Sequence, residues 1–467
     1  MERKAEYAAA QFAQEWLCSM NFRSDKPSVL YELFNMTIPA GTGIATYARN
    51  LYTVSADLGY DAQGLLNSNR AIDRENALLA EIQFSDARNA RISKLSHYAS
   101  HALPFLFGSP FGIQTSSLPD GGIVLHSKVN QALAPLSRKY VAKLFLDTAR
   151  YHFKRYGTAA KLKVDVTPDI FHTTQALPLR VSGAKNIYTI HDIVPLRLPQ
   201  TTLDDKKYFL DMIRYLGRTA DRIVTVSEAS RRDLIHFCEV PDEKIVNTYQ
   251  AVSFPDEVLA QAVDEAERLV KHCFDLDARG YFLFFGALEP KKNVGRLIDA
   301  FIASGSDRKL IIAGGLGWEY EADLGKIENS RSKALLIDRH RIVPDERIIR
   351  LQHLPLFQLT ALIRCARAVV FPSLYEGFGL PVLESMLLGA PVITSNVSSL
   401  PEVAGDAALL VNPTSIMSIA EAIRKLDADD DLCSELISRG RAQAAIFSSQ
   451  AYKERVAELY ESVLHSK

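Results

Sequence analysis

The sequence predicts an α/β protein with two Rossmann-like, doubly wound domains, each built on a parallel sheet. Short apolar runs alternate with helix-length segments along the chain, which is typical of buried parallel strands separated by crossover helices. These runs form two successive series, and 467 residues are enough for two domains with a full core each. Ligands of such sheets gather beyond the carboxyl ends of the strands, so the sequence predicts a site in a central cleft between the domains.

The predicted strands are continuous apolar segments of four to eight residues. The first series contains SVLYEL (28–33), GIVLHS (122–127), DIFHTT (169–174), NIYTIHD (186–192) and RIVTVS (222–227). The second series contains YFLFFG (281–286), KLIIAGG (309–315), RIIRLQHL (347–354), AVVFPS (368–373), PVITSN (391–396) and ALLVNP (408–413).

The change of domain is predicted in the charged helical stretch 253–276, which separates the two series. We therefore expect an N-terminal Rossmann-like domain over 1–255, with a helical extension at 1–25. We expect a C-terminal Rossmann-like domain over 256–445. The segment 446–467 has the spacing of a terminal helix.

Composition is that of an ordinary globular enzyme, with 47% hydrophobic residues, 23% charged residues and a formal net charge of −1. No run approaches the ~20 apolar residues that span a bilayer, and the polar N-terminus lacks a signal-peptide core. A cytoplasmic location is therefore expected. The five cysteines are scattered without a CxxC pair, which indicates neither a disulfide framework nor a zinc site.

The junction after the strand 368–373 is the most informative segment. Gly377 and Gly379 permit a close approach of the backbone, and Pro381 suits the first turn of a helix. The free N–H groups of that turn favour an anion such as a diphosphate. Glu376 precedes the helix and Glu384 lies about one turn inside it, so both carboxylates can border one pocket. The alternative is a plain turn with two solvated glutamates.

The whole segment Phe371 to Gly405 resembles the signature of the retaining GT-B glycosyltransferases of family 4 (group 1), which include many bacterial mannosyltransferases. Their motif is Glu, seven residues, Glu, which Glu376 and Glu384 match. The resemblance implies the GT-B fold, with the acceptor bound by the N-terminal domain, the sugar nucleotide by the C-terminal domain, and the C-terminal helix 446–467 crossing back to the first domain. It also implies that Glu384 binds the nucleotide ribose and Glu376 the donor sugar. The backbone then cradles the sugar and diphosphate at Gly377, Phe378, Gly379 and Leu380.

Two lysines, Lys291 and Lys292, follow a predicted strand in FFGALEPKKNVG. Adjacent lysines are usually a solvated corner, but fixed cations can stabilise a leaving nucleoside diphosphate. The resemblance favours Lys292 as this cation. Lys291 stands where relatives often have Arg, and Ala287 where some have Arg, so the identity of the second cation stays open.

Further candidates come mainly from the resemblance. His191 ends a predicted strand and is expected to hydrogen-bond the sugar or the acceptor hydroxyl, although a lone histidine there is more often structural. Gly41 and Gly43 form a glycine turn that the resemblance places over the donor diphosphate. Gly314 would allow close approach of the nucleotide, and the base pocket is expected after Arg350.

Basic and aromatic residues are concentrated in 131–163, which fits either an anionic membrane surface or a solvated amphipathic helix packed on the sheet. Nucleic acid is not expected as a partner, since no reader motif occurs. No metal or other cofactor is expected either. The DxD-like string at Asp427 and Asp429 suits an exposed helix start better than a Mg²⁺ site.

The sequence thus predicts a retaining glycosyltransferase with His191, Glu376 and Lys292 as catalytic residues. The expected reaction moves a hexose, mannose from GDP-mannose or a related deoxyhexose, to a hydroxyl of a lipid-linked or polysaccharide acceptor in bacterial surface glycan synthesis (O-antigen, lipopolysaccharide or exopolysaccharide). UDP-sugars are an alternative donor. Two rival functions stay open, namely a sugar-nucleotide epimerase of GT-B shape and a non-catalytic partner in a polysaccharide assembly complex.

Overall fold

A computed structural model describes residues 26–37, 43–69, 72–73, 76–86, 110–118, 133, 135–317, 325–326, 335–338, 341–344, 347–352 and 354–466. The chain forms two compact units, Met1–Ile187 together with Glu461–Lys467, and Tyr188–Tyr460. The units divide the chain at a different place from the domain boundary expected at 255/256, which stays a prediction. The expected helical extension at 1–25 lies outside the described residues.

The first unit is a parallel sheet with one antiparallel edge strand, in the order β7-β1-β2-β5-β4. Its strands and helices, in chain order, are β1 (Ser28–Glu32), α1 (Gly43–Asp57), β2 (Asp61–Ser68), α2 (Ala77–Ser85), β3 (Ile113–Gln114), β4 (Ser116–Leu118), β5 (Arg138–Lys143), α3 (Phe145–Tyr156), β6 (Ala160–Lys163), β7 (Ile170–Thr173) and β8 (Leu179–Val181). The short strands β3, β6 and β8 pair in a separate parallel sheet.

The second unit begins within β9 and is built around a fully parallel six-stranded sheet, in the order β16-β13-β12-β17-β18-β19. The elements up to the sheet are β9 (Lys185–Thr189), α4 (Val194–Arg197), α5 (Lys206–Thr219), β10 (Arg222–Thr225), α6 (Glu228–Cys238), β11 (Ile245–Asn247), α7 (Asp256–Leu259) and α8 (Val263–Phe274).

The sheet and its helices then follow in regular alternation. They are β12 (Tyr281–Phe285), α9 (Val294–Ser304), β13 (Lys309–Ala313), β14 (Leu335–Asp338), β15 (Arg341–Pro344), β16 (Ile348–Leu351), α10 (Leu356–Cys365), β17 (Ala368–Phe371), α11 (Leu380–Leu388), β18 (Val392–Ser395), α12 (Leu400–Ala404), β19 (Leu409–Val411), α13 (Ile416–Ala428), α14 (Asp430–Ile446) and α15 (Ser449–His465).

Apolar side chains on both faces explain why these segments are strands of a buried sheet. Every residue of β12 is buried, as are all four residues of β17 and of β18. Helices on both faces are required to cover such strands, and the amphipathic α9 and α13 provide part of that cover. The alternation read from the sequence is therefore the alternation of the fold.

Of the predicted strands, 122–127 lies outside the described residues, and each of the others contains a strand of the structure. The sequence missed the described strands β2, β3, β4, β5, β6, β8, β11, β14 and β15. The expectation of one helical stretch over 131–163 is wrong at both ends of its described part. Arg138–Lys143 is the strand β5, paired with β2 and β4, and Ala160–Lys163 is the strand β6. The aromatic residues Tyr140, Phe145 and Phe153 of this stretch are buried, so they pack inside the first unit.

Within the described ranges, no helix has both the length and the apolar composition needed to cross a membrane. Exposed cations do occur along the stretch 131–163, at Lys143, Arg150, Lys154, Arg155, Lys161 and Lys163.

Glu32 generates a prediction about pH and stability. Its fully buried carboxylate accepts hydrogen bonds from Phe34 N (2.8 Å) and Gln175 Nε2 (3.2 Å), yet burial raises the pKa of Glu32 above its ordinary value. The unfolded chain therefore releases this proton first, and the free energy of unfolding falls as pH rises from the unfolded pKa towards the folded one. Its slope is limited to about 1.4 kcal/mol per pH unit for one group.

Urea denaturation of the wild type and of Glu32→Gln between pH 4 and 8 measures this contribution. We expect the stability of the wild type relative to the variant to decrease as pH rises from about 4.3. A difference between the two proteins that is constant over this range would contradict the prediction.

Candidate functional site

The strand order of the second unit reverses between β12 and β17. The chain proceeds outward from β12 through β13 to β16, and then returns to pair β17 on the other side of β12. A reversal of this kind opens a crevice outside the carboxyl ends of the two central strands, where ligands of open α/β sheets bind. The loops after Phe285 and Phe371 border that crevice, and they carry the two lysines and Glu376.

Lys292 and Glu376 form a nearly buried ion pair in this crevice. Lys292 Nζ donates to Glu376 Oε1 at 2.6 Å, and the two side chains are 14% and 9% exposed. The same ammonium lies 4.8 Å from the ring centroid of Phe371. Burial alone would raise the pKa of Glu376, but the charges of Lys292 and Lys291 outweigh it, so this pKa lies below its ordinary value. Glu376 is therefore an anion at neutral pH.

Lys291 adds a second cation to the crevice. Burial lowers its pKa, but the nearby carboxylates of Glu376, Asp192 and Glu289 more than compensate, so the pKa of Lys291 is raised. Among the described residues its ammonium has neither an ion pair nor a hydrogen bond. A charged donor group without a partner is available to an anionic ligand.

Two further carboxylates of the crevice were not predicted as site residues. Asp192 contributes to the charge environment of Lys291 and Glu289, and burial raises the pKa of Glu289 despite the two adjacent lysines. The position of Glu289, directly before Pro290 in the turn that carries the lysines, was the signal available in the sequence.

Glu384 lies on α11, partly exposed, in the second turn of the helix. Its carboxylate makes no hydrogen bond or ion pair with the residues that the structure describes. Burial raises the pKa of Glu384 to about 7, and the charge of Lys292 only partly opposes this. Near neutral pH the group is thus divided between its acid and its anion, and it can accept hydrogen bonds from a ligand's hydroxyl groups.

The loop between the two glutamates is buried and held by specific contacts. Gly379 begins α11 at φ +112° without a side-chain cap, a conformation that L side chains rarely adopt. The side chain of Phe378 is 3% exposed and packs against the rings of Tyr249 and Phe447. Ser399 Oγ donates to the carbonyls of Glu376 and Phe378 at 3.0 and 2.7 Å, which fixes the loop. Only the main chain of Phe378 can therefore meet a ligand.

The loop that follows β9 brings His191 to this site. Ser230 Oγ donates to the carbonyl of His191 at 2.7 Å, and a Cβ added to Gly377 would lie 2.5 Å from the same oxygen. Glycine at 377 is thus required by the close approach of another backbone segment. His191, which is half-buried, and Glu376 therefore lie on two loops in direct contact.

The predicted glycines elsewhere have separate explanations. Gly314 has φ +155°, and a Cβ there would lie 1.9 Å from the carbonyl oxygen of Gly286, so the approach of the ends of β12 and β13 already requires a glycine. Gly43 is the exposed first residue of α1 in the first unit, and Gly41 lies outside the described residues. The predicted contacts of these glycines with a donor stay predictions.

Metal ligands were not expected, and the described ranges contain no group of three His, Cys, Asp or Glu arranged to hold an ion. Asp429 instead caps α14, accepting from Leu432 N at 2.8 Å, and Asp427 pairs with Arg308 at 2.5 Å. Arg350 lies on the edge strand β16, and its Nε is buried with no hydrogen-bond partner among the residues that the structure describes. The predicted base pocket after Arg350 stays a prediction.

Comparison with known proteins agrees with this architecture. The family model "Glycosyl transferases group 1" matches residues 275–443, and "Glycosyltransferase Family 4" matches 127–253. O-antigen chain mannosyltransferase B of Escherichia coli is 34% identical over 277 residues, which cover 58% of this chain and 68% of that protein. The serotype-specific mannosyltransferase WbdA of Escherichia coli is 26% identical over 64% of this chain, but the match spans only 38% of WbdA.

Among solved structures, sucrose-phosphate synthase from Thermosynechococcus elongatus superposes with a TM-score of 0.64 at 16% identity, covering 95% of this chain and 100% of that one. This likeness concerns the fold, which is GT-B, with two Rossmann-like domains. The chain belongs to the group 1, family 4 glycosyltransferases. It is accordingly a glycosyltransferase, and the crevice beside β12 and β17 lies in the part matched by the group 1 model.

Gly377→Ala tests the contact between the two loops. Because the new Cβ would lie 2.5 Å from the His191 carbonyl, one loop must move, and the geometry of the site is lost. Displacements near 1 Å can cost about a hundredfold in rate. We expect a fall of this order in transferase turnover, measured as release of nucleoside diphosphate.

Gly217→Ala is the matched control, because its Cβ would lie 2.9 Å from a side-chain atom of Val240, remote from the crevice. This variant should lose stability but keep turnover. Equal turnover in the two variants would show that the approach of Gly377 to His191 has no role in the reaction.

Proposed function

We propose that this protein is a retaining mannosyltransferase that transfers mannose from GDP-mannose to a hydroxyl of a growing bacterial surface glycan. The observation that carries the proposal is the Lys292–Glu376 ion pair at the reversal of the sheet, with Lys291 and Glu384 beside it. Two ammonium groups suit a diphosphate, and two carboxylates suit the hydroxyls of a sugar and a ribose. The names of the relatives support mannose and an O-antigen acceptor.

In this proposal the start of α11 receives the diphosphate. Its first-turn N–H groups have no side-chain cap, and the positive end of the helix favours an anion there. Lys292 and Lys291 neutralise charge that develops on the diphosphate as it leaves. Glu384 accepts from the ribose hydroxyls, and Glu376 accepts from hydroxyls of the donor sugar.

The transfer step follows from these placements. The bond between C1 of mannose and the phosphate oxygen breaks, and the acceptor oxygen bonds to C1 on the same face. The acceptor proton passes to the departing phosphate oxygen, which yields GDP and a product with retained configuration. His191 contributes a hydrogen bond to the sugar or to the acceptor hydroxyl, from the loop in contact with Gly377. No metal takes part in this scheme.

A cytoplasmic location and contact with an anionic membrane belong to the same proposal. The support is the row of exposed cations on β5, α3 and β6, which can attract a charged lipid headgroup or a lipid-linked acceptor. Because Phe145 and Phe153 are buried, these two rings are not available for insertion, and we attribute the attraction to the exposed cations.

Variants of Lys292 and His191 separate donor binding from chemistry. Removing a charged hydrogen-bond partner costs about 1.5–3 kcal/mol, so Lys292→Ala should weaken GDP-mannose binding about ten- to a hundredfold in calorimetry. His191→Ala should keep donor affinity but lower turnover, because its expected contact belongs to the reacting groups. Lys207→Ala, which removes an exposed lysine paired with Asp211, serves as the control.

The rival functions give different results in the same assays. An epimerase converts the donor without any acceptor, and a non-catalytic partner binds GDP-mannose but releases no GDP with any acceptor. A wild-type rate in both Lys292→Ala and His191→Ala would refute the assignment of the site. A product with inverted anomeric configuration, read by NMR, would refute the retaining mechanism.

Glu384 predicts a pH dependence of donor affinity. Its pKa of about 7 means that the carboxyl is protonated below neutral pH, and the anion is the better partner for two ribose hydroxyls. The affinity for GDP-mannose should therefore be about tenfold lower at pH 6 than at pH 8. GDP-mannose is the suitable probe because its esterified diphosphate does not titrate in this range.

Glu384→Gln should bind GDP-mannose equally at both pH values. Glu435→Gln, a change at an exposed helix carboxylate, should keep the wild-type dependence. An unchanged dependence in Glu384→Gln would assign the titration to another group.

A further inference from the structure

The first turn of α6 joins several segments of the site. Ser227 caps this helix by accepting from Ser230 N at 3.0 Å. Its hydroxyl also donates to the carbonyl of Gly377 at 2.7 Å, which the sequence did not indicate. Ser230 Oγ donates to the carbonyl of His191 at 2.7 Å. The loops of His191 and Gly377 are therefore both held by this one helical turn.

The same turn is held from the other side by Glu402, on α12. The carboxylate of Glu402 accepts hydrogen bonds from Glu228 N at 2.8 Å and Ala229 N at 3.1 Å. These are first-turn amides of α6, which have no partner within the helix, and a negative charge there also interacts favourably with the helix dipole. Glu402 thus acts as a cap supplied by a segment 174 residues away from Glu228.

Tyr249 adds a third interaction to Glu402. Burial, together with the charge and a hydrogen bond of Glu402, raises the pKa of Tyr249 to about 12. The ring of Tyr249 contacts Phe378, so Tyr249 also connects Glu402 to the loop between Glu376 and α11. Hydrogen bonds to a charged carboxylate are stronger than neutral ones, so Glu402 adds a charge-assisted link to the direct hydrogen bond between Ser227 and the Gly377 carbonyl.

We propose that Glu402 is a positioning residue for sugar transfer, which holds α6 so that His191 stays against the loop of Glu376. The inference rests on the proposed role of His191 in the reaction. Without the Glu402 carboxylate, two amides of α6 lose their partner, the turn can shift, and Ser230 moves the His191 carbonyl away from Gly377. Among the groups proposed to bind GDP, the side chains of Lys292 and Glu384 have no hydrogen bond to α6 within the described residues, so these two side chains should keep their places.

A purely structural role for Glu402 gives a different expectation. In that case Glu402→Ala lowers stability as the loss of any helix cap does, without a specific effect on turnover. Asp429→Ala is the matched control, because Asp429 caps α14 through Leu432 N, and neither residue belongs to the site. Glu402→Gln keeps one acceptor oxygen and the shape of the side chain, so it should fold even if Glu402→Ala does not.

The kinetic test compares these variants of the full chain with GDP-mannose as donor. We expect kcat to fall about tenfold or more in Glu402→Ala and less in Glu402→Gln, with GDP affinity in calorimetry within about twofold of the wild type. Asp429→Ala should keep the wild-type kcat. A kcat in Glu402→Ala equal to that of Asp429→Ala, or a parallel loss of kcat and GDP affinity, would overturn the proposal.

Hydrogen exchange separates this inference from the proposed function. Peptides that cover 188–194 should exchange faster in both Glu402 variants and unchanged in Asp429→Ala, whether or not GDP-mannose is the substrate. Unchanged exchange in the Glu402 variants would overturn the positioning role by itself. If the Glu402 variants exchange faster than the wild type, but the wild type neither binds nor turns over GDP-mannose, only the proposed function is refuted.

Discussion

The reversal of strand order between β12 and β17 is the constraint on which the candidate site depends. Because the chain leaves this point in both directions, two loops that are far apart in sequence must emerge side by side. One supplies Lys292 and the other Glu376, and their ion pair is nearly buried. A buried charge without a partner costs several kcal/mol, so neither residue could occupy this place alone. The strand order therefore creates the crevice, and the Lys292–Glu376 ion pair offsets the free energy that burial of each charge costs.

Lys291 and Lys292 differ in their contacts. This difference concerns Lys291 in particular, which stands where relatives often have arginine. Lysine at 291 lacks the fork geometry of arginine, yet three nearby carboxylates raise its pKa although the residue is half-buried. Its ammonium is unpaired within the described part of the chain, whereas that of Lys292 is committed to Glu376. A diphosphate could thus bind the ammonium of Lys291 directly, whereas it would share the ammonium of Lys292 with the carboxylate of Glu376. This arrangement favours an active transferase over a non-catalytic relative, since it preserves the second charge by other means.

Much of the fold was predictable because its strands are continuous apolar runs, and the β12 and β17 segments are the clearest examples. The strand β2 was missed because Gln63 and Asn67 interrupt its apolar pattern. The pair Glu376 and Glu384 was predictable from local spacing. The contact between His191 and Gly377 was not, because it depends on a backbone approach between residues far apart in sequence. Glu402 escaped notice for the same reason, since a helix cap supplied from elsewhere in the chain leaves no local pattern.

An aromatic cluster joins the loop between Glu376 and α11 to the segment before the last helix, another contact between residues far apart in sequence. Phe378, Tyr249 and Phe447 pack together, and Val252 N donates to the carbonyl of Phe447 at 3.3 Å. The guanidinium of Arg455, on α15, lies 5.0 Å from the ring centroid of Tyr249. The side chain of Phe378 thus joins the loop between Glu376 and α11 to the segment that precedes the last helix. Phe378 and its neighbour Gly377 have different functions in this packing: Gly377 leaves room for the carbonyl of His191, and the ring of Phe378 anchors the loop against Tyr249 and Phe447.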